Sequence, residues 1–335
     1  MFETSFRRAT IAAAAVAFVA GCSGNTASFA PTQNASNFVL SSRLIRGAAV
    51  ERPLVVPVVP HPWALPHVWP LHHRRRAQIL FVADPQNNQI LMYNPKTANP
   101  KPEGSITNGI TYAFGVAVDK SGKLYVANLL GGNGSVTVYP KGATSPSLTI
   151  TNGINGPYGI GVDSKGDIFV TNLNTDTIVA YKAGATTPYE TINFSSDGQA
   201  LGVGTDAGDN VWIGSDSTNQ VWEIPAGTTT PVNAGLSGLN GTIGVAFGQN
   251  DEMYVSNFAG PNAQVYAYGT KTPSRTITSG MTAPTFGGLT ASDYFFQSNQ
   301  AGNVSGYLKG QSTPFSTITG IPDPRGIASI PLVVK

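Results

Sequence analysis

A polar side chain that offers an oxygen ligand recurs every 42 to 44 residues along most of this 335-residue chain. The recurring residues are Asp84, Asn128, Asn172, Ser215, Asn257 and Asn299. Carboxylate and amide oxygens are the ligands that Ca²⁺ prefers, so Asp84, Asn128, Asn172 and Asn257 predict a calcium site if the fold brings them together. The structural alternative is that these side chains cap turns by bonding the backbone nearby.

Most of the chain lacks the residues that usually carry out nucleophilic catalysis. The four histidines, His61, His67, His72 and His73, and the one cysteine, Cys22, all precede residue 77. Residues 77–335 therefore contain neither a Ser-His-Asp nor a Cys-His constellation. The four histidines, without carboxylate or thiol support, would make only a weak transition-metal site.

The recurring polar residues each end the second of four short strands in a repeat of about 43 residues. In one unit the strands read 114–119, 124–128, 136–139 and 148–150, with alternating apolar residues between turns rich in Gly, Asn and Asp. The glycines that mark the first strands are Gly115, Gly159, Gly202, Gly244, Gly287 and Gly326. The third strands end at Tyr93, Tyr139, Tyr181, Ile224, Tyr268 and Tyr307.

The polar residues and the first-strand glycines each recur six times, which predicts an all-β fold. The predicted fold is a six-bladed β-propeller of four-stranded antiparallel blades over residues 77–335. The chain enters at a second strand, 79–84, and leaves at a first strand, 326–330. Pairing of these N- and C-terminal strands would complete one blade and close the ring without exposed edges.

A second ring of residues should share a channel mouth with the first, because both rings lie at loops on one face of a propeller. Its members directly precede the first-strand glycines: Phe114, Tyr158, Leu201, Ile243, Phe286 and Arg325. The predicted ligand-binding residues are Asp84, Arg325, Asn128, Asn172, Asn257, Asn299, Phe114, Tyr158 and Phe286. The alternative for the second ring is an apolar plug. Asp84 and Arg325 should share a blade, where they either pair or orient an acidic or carbonyl-bearing ligand.

The residues Phe81-Val82-Ala83-Asp84-Pro85-Gln86-Asn87-Asn88-Gln89-Ile90 resemble the second-strand, turn and third-strand core of the NHL-repeat propellers. First strands that end at Asp119 and Asp163 resemble that family's other signature, whereas Ser215 and Ile224 depart from it. The resemblance spans essentially all of residues 77–335 and implies an architecture more than an activity. A lactonase of the gluconolactonase type would need only Ca²⁺ held by oxygen ligands, but the glutamate that such enzymes place early in the propeller has no evident counterpart here.

The N-terminus has the pattern of an export signal: Arg7 and Arg8, then an apolar run over 11–20, then small residues before Cys22. Val19-Ala20-Gly21-Cys22 resembles the bacterial lipobox, which implies cleavage after residue 21 and a lipid on Cys22. We therefore expect a signal peptide over 1–21 and contact with a lipid bilayer through acylated Cys22. In a Gram-negative cell, Ser23 would direct the protein to the outer membrane or the cell surface.

Residues 22–76 form a predicted Pro-rich, disordered tether. Its Trp63, Trp69 and basic cluster at 72–76 either contact an anionic polymer or membrane or are a solvated linker. Lysine and arginine outnumber acidic residues by 6 over 1–76, whereas acidic residues are in excess by 4 over 77–335. The folded part is therefore not expected to bind nucleic acid.

These observations predict a non-catalytic extracytoplasmic lipoprotein whose propeller recognises an envelope protein or a carbohydrate, without a cofactor. The alternative is a calcium-dependent lactonase-like hydrolase with its site at the channel mouth. A passive subunit of an envelope assembly is a third interpretation, which an exposed patch around Trp212 and Trp222 would favour over packing between blades.

Overall fold

The computed structural model describes residues 78–330. Within this range the chain forms 24 strands in six four-stranded antiparallel sheets, and one 3₁₀ helix, Pro85–Asn87. The predicted all-β, six-bladed propeller is confirmed. None of the described residues forms a helix long and apolar enough to cross a membrane. The predicted signal peptide, Cys22 and the tether lie outside the described residues.

Blades 1 to 3 are numbered in chain order, each with its innermost strand called the first. Blade 1 contains β1 (Leu80–Asp84), β2 (Gln89–Tyr93), β3 (Gly104–Ile106) and, as its first strand, β24 (Ile327–Ser329). Blade 2 contains β4 (Ala113–Val118), β5 (Leu124–Asn128), β6 (Ser135–Tyr139) and β7 (Leu148–Ile150). Blade 3 contains β8 (Pro157–Val162), β9 (Ile168–Asn172), β10 (Thr177–Tyr181) and β11 (Glu190–Asn193).

Blades 4 to 6 repeat the same order of four strands. Blade 4 contains β12 (Val203–Thr205), β13 (Val211–Ser215), β14 (Gln220–Ile224) and β15 (Val232–Asn233). Blade 5 contains β16 (Thr242–Phe247), β17 (Met253–Asn257), β18 (Asn262–Tyr266) and β19 (Arg275–Ile277). Blade 6 contains β20 (Pro284–Leu289), β21 (Phe295–Asn299), β22 (Asn303–Tyr307) and β23 (Ser316–Thr319).

The ring closes through blade 1, which takes strands from both ends of the folded part. β24 pairs with β1 antiparallel, with Leu80 opposite Ser329 and Val82 opposite Ile327. The resulting sheet has the order β24-β1-β2-β3. The prediction that N- and C-terminal strands complete one blade is therefore confirmed.

The core lies between neighbouring blades, because each blade buries both of its faces. Phe81 and Met92 of blade 1 pack in one cluster with Val116 and Leu124 of blade 2. All four side chains are at most 7% exposed. Burying such a side chain contributes about 1.5–3 kcal/mol, so the blades stabilise one another mainly through these contacts.

Close approach of the innermost strands explains the recurring first-strand glycine. A Cβ on Gly159 would lie 2.3 Å from the carbonyl oxygen of Leu201 in the next blade. Two residues farther along, every first strand again carries only alanine or glycine: Ala117, Gly161, Gly204, Ala246, Gly288 and Ala328. Small residues are required at this second position because the innermost strands converge on the axis.

The register of blade 6 corrects one predicted position. The pairing of β20 with β21, compared with the first-strand pairings of the other blades, places Phe286 where those blades have their marker glycine. Gly287 lies one residue later, and Thr285 takes the position predicted for Phe286. Because Gly287 and Gly288 are consecutive, the spacing of glycines alone places the repeat one residue too late in this blade.

The third strand of blade 5 ends at Tyr266, two residues before the predicted Tyr268. Tyr266 is fully buried, whereas Tyr268 is 75% exposed in the following turn. The two tyrosines have the same parity along the strand, so alternation alone does not distinguish them. The pairing does, because Tyr266 lies opposite Met253 at the start of the second strand.

We predict that Gly159→Ala lowers the free energy of unfolding by about 1–3 kcal/mol, because the added methyl group meets backbone that cannot rotate away. Urea unfolding followed by circular dichroism measures the change. Gly248→Ala is the matched control, since its Cβ would have ordinary contacts at 3.4 Å. Equal losses in the two variants would contradict the close approach of the inner strands.

Candidate functional site

The recurring asparagines hold the loops that join one blade to the next. In blade 2, the Asn128 Oδ1 accepts a hydrogen bond from the backbone N–H of Thr111 at 2.9 Å, and its Nδ2 donates to the Gly109 carbonyl at 3.2 Å. Equivalent bonds join Asn172 to Asn155 and Gly153, Asn257 to Asn240 and Gly238, and Asn299 to Thr282 and Gly280. All four asparagines are at most 1% exposed. We call the face of the propeller formed by these loops the asparagine face.

A tyrosine at the end of the third strand holds the same loop. The Tyr139 hydroxyl donates to the Asn108 carbonyl at 2.8 Å, and burial raises the pKa of Tyr139 to about 12. Tyr181, Tyr266 and Tyr307 donate in the same way to Asn152, Ser237 and Ser279. The sequence signal missed for this contact is the Asn-Gly or Ser-Gly pair that begins each loop. Its glycine has a positive φ, 78° at Gly109.

The predicted calcium ligands do not present a shared set of free oxygens. The amide oxygens of Asn128, Asn172 and Asn257 each accept a backbone N–H bond from the loop of their own blade. No group of three or more His, Cys, Asp or Glu side chains within residues 78–330 is placed to hold a metal ion. These amide oxygens already hold the loops, and the calcium site stays an untested prediction.

Blade 1 differs from the other blades at the equivalent positions. The Asp84 Oδ2 accepts bonds from Asn87 Nδ2 at 2.9 Å and Gln89 Nε2 at 2.8 Å. Arg325 forms its ion pair with Asp323, at 2.9 Å, and both side chains are at most 5% exposed. Burial raises the pKa of Asp323, and the attraction of Arg325 opposes that shift.

Aromatic side chains fill the channel mouth on the asparagine face. We call Tyr112, Phe114, Tyr158 and Phe286 the aromatic plug. Ring centroids are 5.6 Å apart for Tyr112 and Phe114, 4.8 Å for Phe114 and Tyr158, and 5.4 Å for Tyr158 and Phe286. The last pair joins blades 3 and 6 across the axis, and the Arg325 guanidinium lies 4.9 Å from the Phe114 ring. Each plug residue is at most 8% exposed, so three predicted aromatic ligand residues are brought together as a packed plug.

Asp216 lies beside this plug and was not predicted as a site residue. Burial raises its pKa to about 6, although backbone hydrogen bonds oppose the shift. Burial also raises the pKa of Tyr158 to about 12. The positive charge of Arg325 opposes this shift, and the negative charge of Asp216 adds to it. Asp216 follows Ser215, the position at which blade 4 departs from the asparagine repeat. That departure from the repeat was the sequence signal that could have identified Asp216.

The remaining channel is small. Its volume is about 210 Å³, and its lining comes from the six innermost strands, from Gly115 in blade 2 round to Ser329 in blade 1. Pockets for small organic ligands usually have volumes of about 300–1,000 Å³. The channel is therefore smaller than a typical small-molecule site.

Trp212 and Trp222 are half-buried between blades. The Trp212 ring lies 5.7 Å from Phe247, and its Nε1 donates to Asp206 at 2.9 Å. The Trp222 ring packs edge-on against Phe194 at 5.9 Å. Both tryptophans therefore pack between blades and do not form an exposed aromatic patch.

No protein-family model and no curated protein matches this chain. Among solved structures, a chain of the nidogen/laminin complex matches with a TM-score of 0.64 and 16% identity, covering 76% of this chain and 98% of that one. A catalytically inactive virginiamycin B lyase from Staphylococcus aureus, crystallised with quinupristin, matches with a TM-score of 0.50 and 13% identity, covering 74% and 87%. At these identities the comparisons show the β-propeller fold alone.

We predict that Asn172→Ala lowers the free energy of unfolding by about 1–3 kcal/mol, because the Asn155 N–H and the Gly153 carbonyl lose their hydrogen bonds to this buried side chain. The urea midpoint measures this. The control is Asn174→Ala, whose exposed side chain makes one bond, to Asn155 Oδ1, and which should change stability by about 0.5 kcal/mol or less. Unchanged stability of Asn172→Ala would contradict the loop-holding role.

A second prediction concerns pH. Because the pKa of Asp216 is raised in the folded state, the protonated carboxyl favours folding below pH 4, and this contribution is lost as pH rises through about 6. Relative to Asp216→Asn, the wild-type protein should lose about 1–2 kcal/mol of stability between pH 4 and pH 7, allowing for partial exposure. Parallel pH curves for the two proteins would disprove the raised pKa.

Proposed function

We propose that this chain is a non-catalytic binding protein whose asparagine face docks against another protein outside the cytoplasm. The observation that carries the proposal is the aromatic plug. Since Phe114, Tyr158 and Phe286 fill the channel mouth, the face offers a continuous surface instead of a pocket. A continuous surface suits a macromolecule, whose contacts are spread over many side chains.

The surrounding loops are suited to this use because their backbone is held in place. Asn128 and Tyr139 hold the loop into blade 2, and inter-blade bonds extend the hold around the ring. Asn88 of blade 1 accepts the Tyr112 N–H at 2.8 Å, and Asn219 of blade 4 accepts the Gly241 N–H at 2.7 Å. A surface ordered before binding loses less conformational entropy on association.

Two further considerations support the proposal. A propeller of similar fold occurs in the nidogen/laminin complex, which is an assembly of proteins. The predicted lipid on Cys22 and the tether over 22–76 would place the propeller at a membrane outside the cytoplasm, at the outer membrane or cell surface of a Gram-negative cell. A tethered, ordered face is available to a partner at a distance from the bilayer.

Site-specific photo-crosslinking in the native envelope tests the proposal. A photoreactive amino acid at Asn133 or Thr218, both exposed on the asparagine face, should yield one discrete protein adduct. The same group at Lys120, exposed on the opposite face, is the matched control and should not yield that adduct. An adduct formed equally from both faces, or a saccharide adduct in place of a protein, would contradict the proposal.

A further inference from the structure

Every lysine in the described part of the chain lies on one face of the propeller. All nine are exposed and occupy turns between first and second strands or between third and fourth strands: Lys96, Lys101, Lys120, Lys123, Lys141, Lys165, Lys182, Lys271 and Lys309. These turns lie opposite the asparagine face. We call this side the lysine face.

Several aspartates of the lysine face are buried and hold its turns from within. Asp119 is 9% exposed, and its carboxylate accepts the N–H groups of Ser121 and Lys123 within its own turn. Asp163 and Asp206 hold their turns in the same manner at 8% and 9% exposure. In the turns of Asp119 and Asp163, lysines are therefore the outermost charges.

Blades 1 and 2 carry the densest positive charge. We call Lys96, Lys120, Lys123 and Lys141 the basic patch. The only acidic residues in the described turns of this patch are the buried Asp119 and the exposed Glu103. The Lys141 side chain lies along the turn of Lys120 and Lys123, since its Cδ is 2.9 Å from where a Cβ on Gly122 would be. Elsewhere on the face Lys165, Lys182 and Lys309 are neutralised by aspartates at 2.7–3.1 Å.

Exposed apolar side chains share the lysine face. Tyr268 is 75% exposed, Tyr189 46% and Leu308 39%, and each lies in a turn between third and fourth strands. Tyr189 lies against Lys182, whose Nζ is 4.1 Å from the ring centroid. Lysines mixed with tyrosine and leucine are the composition of surfaces that rest in a bilayer interface.

The chain also enters the propeller on the lysine face. Gln78, the first described residue, precedes the second strand of blade 1 and donates from Nε2 to Ser292 Oγ in a first-to-second-strand turn of blade 6. The segment with the predicted tether and lipid anchor thus joins the disc on the side where the lysines are.

We propose that the lysine face docks on an anionic lipid bilayer. Lysines near such a surface are attracted to its headgroup phosphates, and exposed tyrosine and leucine side chains bury apolar area in the interface. The asparagine face lacks lysine among its described residues and carries Asp176, Asp197 and Asp216, so it would face away from the bilayer. This proposal stands independently of the protein-binding function.

Vesicle co-sedimentation tests the proposal with the mature chain, residues 22–335, carrying Cys22→Ser to remove the predicted lipid site. The probe is a vesicle of 30% phosphatidylglycerol in phosphatidylcholine, with pure phosphatidylcholine as reference. The parent protein should bind the anionic vesicles and release them at high salt. Lys120→Gln, Lys123→Gln and Lys141→Gln together should weaken binding at least tenfold.

The matched control lowers the net charge by the same amount, but on the opposite face. Asn133→Asp, Thr218→Asp and Ala301→Asp together, all at exposed positions of the asparagine face, should leave vesicle binding within twofold of the parent. Circular dichroism and urea midpoints verify folding of every variant. Equal loss in both triple variants would overturn the proposal, because net charge would then explain binding. Retained binding in the lysine variant with loss in Arg74→Gln, Arg75→Gln, Arg76→Gln would also overturn it, because the basic segment before the propeller would then be the contact.

Discussion

Pairing of β24 with β1 is the interaction on which the whole molecule depends. A four-stranded blade cannot bury both faces alone, so each blade needs two neighbours, and the ring supplies them only when it is closed. Three residue pairs, from Leu80↔Ser329 to Val82↔Ile327, provide this closure between the ends of the folded chain. Closure in turn brings the innermost strands close together on the axis, which explains the small residues at Gly159 and Gly161.

The same repeat produces two different faces. On one side, asparagine and tyrosine side chains hold each blade-to-blade loop, and the aromatic plug closes the channel mouth. On the other side, aspartates such as Asp163 fix the turns from beneath while lysines project outward. Repeated residues therefore build the disc, and its proposed uses depend on what the repeat leaves exposed: a closed, ordered surface on one side and positive charge with apolar side chains on the other.

The sequence predicts the repeated features well, because each is sampled six times. Strand class, blade count and ring closure followed from the spacing of glycines and of residues such as Asn128. Features that occur once are set by tertiary contacts that the spacing does not encode. The partner of Arg325 is Asp323 because two residues of one loop fold together, and Asp216 has a raised pKa because surrounding loops bury it. Phe286 was placed one residue out of register because consecutive glycines leave the spacing ambiguous.

The orientation of the disc on a membrane distinguishes the two faces by their proposed uses. In the Cys22→Ser chain, an environment-sensitive fluorophore is attached at Thr97→Cys on the lysine face or at Asn133→Cys on the asparagine face, with anionic vesicles that carry a quencher on their headgroups. Docking through the lysine face predicts strong quenching at residue 97 and little at residue 133. Equal quenching at both positions, or stronger quenching at residue 133, would contradict it.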